Sequence, residues 1–141
     1  MKSVLCSITG IVGSAIAFLF GGWDSSLITL LIFMLADYLT GLIVAGVFHK
    51  SKKTETGNLD SRIGWKGLCK KIVTLILVVV AHRLDIQMGT TFIKDAVCIA
   101  FITNEALSLI ENAGLMGVPI PKAIREAIAV LHNGNEQSKN G

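Results

Sequence analysis

Two carboxylates in apolar surroundings are the side chains here best suited to chemistry. Asp37 interrupts the stretch from Ile28 to Val47, ITLLIFMLADYLTGLIVAGV, and Glu105 interrupts the run Phe92–Ile110. An acid at the centre of a bilayer costs roughly 2.5–3.5 kcal/mol on insertion scales, so it is kept there for packing or for function. If both segments cross a membrane, both acids lie near its midplane. Two carboxylates at that depth can hold a proton or a cation. They can equally bond Ser, Thr or Asn groups of a neighbouring helix and fix the packing, and the sequence leaves both readings open.

Other chemistry is absent. The chain has no phosphate-binding glycine loop, no HExxH, no paired CxxC and no nucleophile elbow. Its histidines, His49, His82 and His132, are far apart, and its three cysteines, Cys6, Cys69 and Cys98, fit neither a disulfide framework nor a zinc spacing. No enzyme, metal or cofactor is expected. Of the 141 residues, 52% are hydrophobic and only 16% charged, against about 25% charged in soluble domains. With its long apolar runs, this composition describes an all-α integral membrane protein with no room for a separate soluble domain.

The elements that must position the acids follow from the runs. Val4–Phe20 is apolar and carries Ser3, Ser7, Gly10, Ser14, Ala17 and Gly21 at alternating spacings of four and three. Small residues on one helical face let backbones approach closely in lipid, so this face is expected to pack on another helix or another copy. The run also has the outline of a secretory signal, with Ala15-Ile16-Ala17 resembling a cleavage site. Gly21–Ser26 is a turn, with Ser25 or Ser26 as the expected cap. The second helix is expected from Leu27 to Phe48, with Asp37, Gly41 and Ala45 on one packing face. A third, shorter run, Ile72–Ala81, is read as a helix from Trp65 to Ile86, with a buried strand as the alternative. The fourth is Phe92–Ile110 and its polar end. Asn104, Glu105, Ser108, Glu111 and Asn112 fall within an arc of about 120°, a stripe that must face protein or water and so makes a pore candidate.

Residues 1–113 thus form a domain of four transmembrane helices. Between the second and third lies a basic loop, 49–71, with Lys50, Lys52, Lys53, Arg62, Lys66, Lys70 and Lys71. Basic loops stay in the cytoplasm, which places both termini there and draws the loop to anionic lipid; a nucleic-acid partner is not expected. Residues 114–141 form a cytoplasmic tail. Pro119 and Pro121 break the fourth helix, a short amphipathic helix follows over 121–132, and the remaining polar end is expected to be disordered.

Three stretches carry a family likeness: Ala36-Asp37-Tyr38-Leu39-Thr40-Gly41, then Asn58 to Leu68 with Lys70-Lys71, and Asn104 to Gly114 running into Gly117-Val118-Pro119-Ile120-Pro121. Together they resemble the phage lysis and toxin-secretion holins of Gram-positive bacteria and their phages, over about Leu30 to Leu131. The resemblance implies a multi-pass protein of the bacterial cytoplasmic membrane that forms homo-oligomers and opens a lesion. Its functional partner would be a muralytic endolysin, in host cell lysis, or a large toxin. Two rival readings are a small ion or proton channel or transporter using Asp37 and Glu105, and a membrane scaffold for a soluble partner.

Overall fold

The computed structural model describes residues 1–140. Five helices and no strand occur among them: α1 (Lys2–Phe20), α2 (Ser25–Gly46), α3 (Ser61–Met88), α4 (Ile93–Leu115) and α5 (Lys122–Asn140). The third run is therefore a helix, and longer than the expected Trp65–Ile86. Asp60 starts it early by accepting the Arg62 N–H at 2.8 Å, and Gly89 ends it in the left-handed region at φ 68°. At 1.5 Å per residue α3 is about 42 Å long, more than the hydrocarbon core of about 30 Å.

The turn between α1 and α2 is held from both sides. Gly21 closes α1 at φ 76°, a conformation glycine adopts freely, and its N–H reaches the Ala17 carbonyl. A Cβ there would also run into the His82 ring of α3. The cap of α2 is Asp24, not the expected Ser25 or Ser26. Its carboxylate accepts the Leu27 N–H at 2.9 Å, as a charged oxygen at the positive end of a helix does best.

Leu27, Leu30 and Met34 of α2 meet Val78 of α3 and Cys98 of α4 in the apolar core. This core fills the half of the bundle nearest the two short turns. The other half is polar. Away from the charged helix ends the outside of the bundle is apolar: Phe18 is 74% exposed, Ile32 58% and Val73 54%, and no residue of α1 is buried by the other described residues. Soluble monomers rarely show so continuous an apolar surface. By length and composition α1 and α2 can each cross a membrane. Helices α3 and α4, which carry Lys70, Lys71, Lys94, Glu105 and Glu111, do not reach that measure.

The tail differs from expectation. Instead of stopping near 132, α5 continues to Asn140, while Gly141 lies outside the described residues. Lys122 with Glu126 and His132 with Glu136 are spaced i, i+4 along it, and no proline interrupts it after Pro121. Gly134 alone costs only about 1 kcal/mol.

Candidate functional site

The polar half is organised around Lys71. Its Nζ donates to Asp37 Oδ2 at 2.8 Å and to Glu105 Oε2 at 2.6 Å. One ammonium thus joins α2, α3 and α4. The Lys71 side chain is 16% exposed, with Asp37 at 7% and Glu105 at 14%. At such burial, ion pairs act at low dielectric and little water competes. Asn112 completes the second acceptor of the acid. Its Nδ2 donates to Asp37 Oδ1 at 3.1 Å and to Thr40 Oγ1 at 2.9 Å, and the Thr40 hydroxyl donates to the Ala36 carbonyl at 2.8 Å. No buried side-chain nitrogen or oxygen among the described residues lacks a partner.

Asp37 and Glu105 are thus brought together, by a partner that sequence reasoning put elsewhere. The basic stretch 49–71 is not one loop. Lys50, Lys52 and Lys53 lie in the segment between α2 and α3, while Arg62, Lys66, Lys70 and Lys71 belong to α3. Lys71 leaves the basic set altogether and turns inward. Helical phase carries the signal: Lys71, Val78 and Asp85 recur every seven residues, with Ala81 between the last two, and Val78, Ala81 and Asp85 are buried. Lys70 points about 100° away and is exposed.

The Asp37–Gly41–Ala45 face meets α4 within the same chain. Gly41 faces Asn112, whose nitrogen lies 3.9 Å from where a Cβ would be, an ordinary contact distance that leaves room for alanine but not for a longer side chain. Of the α4 stripe, Asn104, Glu105, Ser108, Glu111 and Asn112 all line one cavity of about 360 Å³. Lys52, Lys53 and Asp60 line it as well, together with all three members of the Asp37–Lys71–Glu105 triad. The stripe therefore does have an internal partner, which the sequence did not disclose. Ser7, Gly10 and Ser14 of α1 are exposed instead, and no described atom lies within 4 Å of a Cβ placed on Gly10.

A second polar cluster sits at the opposite end. Asp85, at the end of α3, accepts the Ile93 and Lys94 N–H groups at 3.0 and 2.8 Å and so caps α4 from across the turn. The Lys94 ammonium reaches Asp24 at 2.6 Å and joins the two short turns. Burial pushes the Asp24 carboxyl up, but the Lys94 ammonium and the Leu27 N–H outweigh it and hold it below its ordinary value.

Comparison with known proteins gives these features a family. A model described as the bacteriophage holin family matches residues 14–133. The chain belongs to the bacteriophage holin family. An uncharacterized protein of Halalkalibacterium halodurans is 36% identical over 93% of this chain and 96% of its own length. An uncharacterized 14.9 kDa protein of Clostridium perfringens is 38% identical over 86% of this chain and 87% of its own. A protein of Bacillus phage phi105 named "Probable holin" is 32% identical over 77% of this chain and 75% of its own. No solved structure matches. All of α2, α3 and α4 falls inside the holin match, and with them the triad and its cavity; α1 enters it only from Ser14 onward.

Proposed function

We propose that this holin-family chain crosses the cytoplasmic membrane four times, assembles with further copies and opens a lesion through which a muralytic endolysin, or a large toxin, leaves the cell. The observation that carries the reading is the distribution of charge: the ionised groups of the triad, Asp37, Lys71 and Glu105, are turned inward and paired, while the exposed unpaired charges of α3 and α4, Arg62, Lys66, Lys70, Arg83 and Asp95, lie toward the helix ends. Family membership agrees with a non-enzymatic role.

The topology has its own support. The Asp24–Lys94 pair sets both short turns at one end. Lys52 and Glu111, 3.4 Å apart, set the 47–60 segment and the end of α4 at the other. The second end holds Lys50, Lys52 and Lys53, so the positive-inside rule puts it, both termini and α5 in the cytoplasm. Ser7, Gly10, Ser14 and Ala17 form the face toward a second copy, whereas Asp37, Gly41 and Ala45 pack within one copy. On assembly the Asn104–Asn112 stripe exchanges its cavity within one copy for the wall of the lesion. A small cation channel through Asp37 and Glu105 is less well supported, because Lys71 occupies the place between them.

Release of dyes graded by size from vesicles holding the purified chain tests the proposal. Macromolecular dextrans should escape together with small dyes. Passage of ions alone would turn the reading to a channel, and release of nothing to a scaffold.

A further inference from the structure

Basic side chains in the first turns of α3 form a ladder. Arg62, Lys66 and Lys70 recur at i, i+4 and i+8, all three are exposed, and none pairs with a described acid. Trp65, on the edge of the ladder, is 65% exposed. Directly below, on the same face, come Val73, Leu77 and Val80, exposed by 54%, 46% and 46%. The face thus changes from cationic to apolar along one line, as a phospholipid changes from headgroup to chain.

We propose that this face of α3 binds one anionic phospholipid of the inner leaflet, its phosphate on Arg62, Lys66 and Lys70 and an acyl chain along the apolar strip. The inference rests on α3 spanning the membrane with its start in the cytoplasm. Three arguments favour a lipid over a soluble acidic partner. The ladder is about 12 Å long, which covers the headgroup layer and the top of the hydrocarbon. Side chains of a helix lean toward its N-terminus, here the cytoplasmic end, so Lys66 and Lys70 snorkel up toward Arg62 and converge on one level. Cations at the positive end of a helix repel its dipole, and Asp60 is the only carboxylate capping it; a phosphate relieves both. Trp65 adds the amphipathic ring that suits this depth.

Trp23→Phe leaves Trp65 as the sole tryptophan of the full chain. In vesicles, its fluorescence is quenched by brominated phosphatidylglycerol or by brominated phosphatidylcholine at equal mole fraction. A basic side chain near an anionic surface is worth roughly fivefold, so a preference of at least fivefold for the anionic lipid is expected. It should fall several-fold in Lys66→Gln and reach parity when Arg62, Lys66 and Lys70 are all Gln. Changing Lys50, Lys52 and Lys53 to Gln removes the same charge from the loop and should leave the preference in place. Loss of preference in the loop variant but not in the ladder variant would overturn the site. Equal quenching by both lipids in the unaltered ladder also overturns it, leaves the span intact and frees the ladder for an acidic polypeptide. No quenching by either lipid takes Trp65 out of the membrane and removes the spanning of α3 as well.

Discussion

Lys71 is asked to satisfy two carboxylates at once, which makes it the most vulnerable residue of the bundle. Removing one partner of a buried ion pair costs about 3–5 kcal/mol, because the other charge is left without compensation. Lys71→Met should destabilise the chain by that amount, read as a lowered unfolding midpoint in detergent, and should advance lysis at matched protein level. Asp37→Asn is expected to be milder than Lys71→Met, since the amide oxygen still accepts from Lys71 and Lys71 keeps Glu105, although the amide nitrogen then faces Asn112 Nδ2 and that one bond is lost. Converting all three to apolar residues of similar volume should restore most of the stability lost in Lys71→Met. If Asp37→Asn proved as harmful as Lys71→Met, charge itself would be what matters at that site. Asp24 behaves differently because it sits at a turn. Its folded pKa is depressed, so its contribution is complete above the ordinary carboxylate pKa of about 3.9 and is lost as pH falls through the folded value. Acidification should therefore loosen the tie between the two turns. Asp24→Asn should flatten the dependence of the unfolding midpoint on pH over that window.

At the scale of elements, α1 and α2 divide the work of small residues between them. The Gly41 face is spent inside the chain, against Asn112 of α4, which bonds Asp37 and Thr40. The Gly10 face is open. Bulk on the first should disturb the fold and bulk on the second only the assembly. Gly10→Leu and Ser14→Leu should leave the unfolding midpoint unchanged and weaken self-association by about 1–2 kcal/mol, the scale of helix–helix interactions in lipid. Crosslinking across a range of detergent-to-protein ratios measures it, and oligomers of unaltered size in both variants would take this face out of the interface.

The whole molecule is an antiparallel bundle whose two short turns are tied by the part-buried Asp24–Lys94 pair; at the other end the Lys52–Glu111 pair is solvent-exposed and adds little. Between the two ends an apolar core occupies one half and the triad with its cavity the other. Polar packing in one half and apolar packing in the other, the cytoplasmic and outer halves in the proposed topology, would let the two respond separately. The topology that follows is open to a direct check in a background lacking Cys6, Cys69 and Cys98. A membrane-impermeant thiol reagent added outside intact cells should label Ser25→Cys and Thr90→Cys but not Ser51→Cys. Labelling of Ser51→Cys would invert the bundle, and labelling of only one of the two turns would remove a pair of spans.

Local sequence determined α1 and α2, because their apolar runs, parted at Gly21, are of membrane length and a helix satisfies the backbone within such a run; the shorter or more polar runs of α3 and α4 were legible through their punctuation by Gly89 and the Pro119–Pro121 pair. The same locality makes Asp37 and Glu105 conspicuous, since a costly charge in an apolar run is visible without knowing its neighbours. The partner of those acids is not visible in that way. Lys71 follows Lys70 at the edge of a basic stretch, and composition treats the two alike. Only the rotation of α3 against α2 and α4, set by the packing of Val78 on Leu27, Leu30, Met34 and Cys98, sends one lysine to the surface and the other between two carboxylates. Asp85 and Lys94 join across a turn, and Lys94 reaches Asp24, for the same reason. Such pairs depend on distances between helices that no periodicity along one helix contains, so the tertiary structure alone decided them.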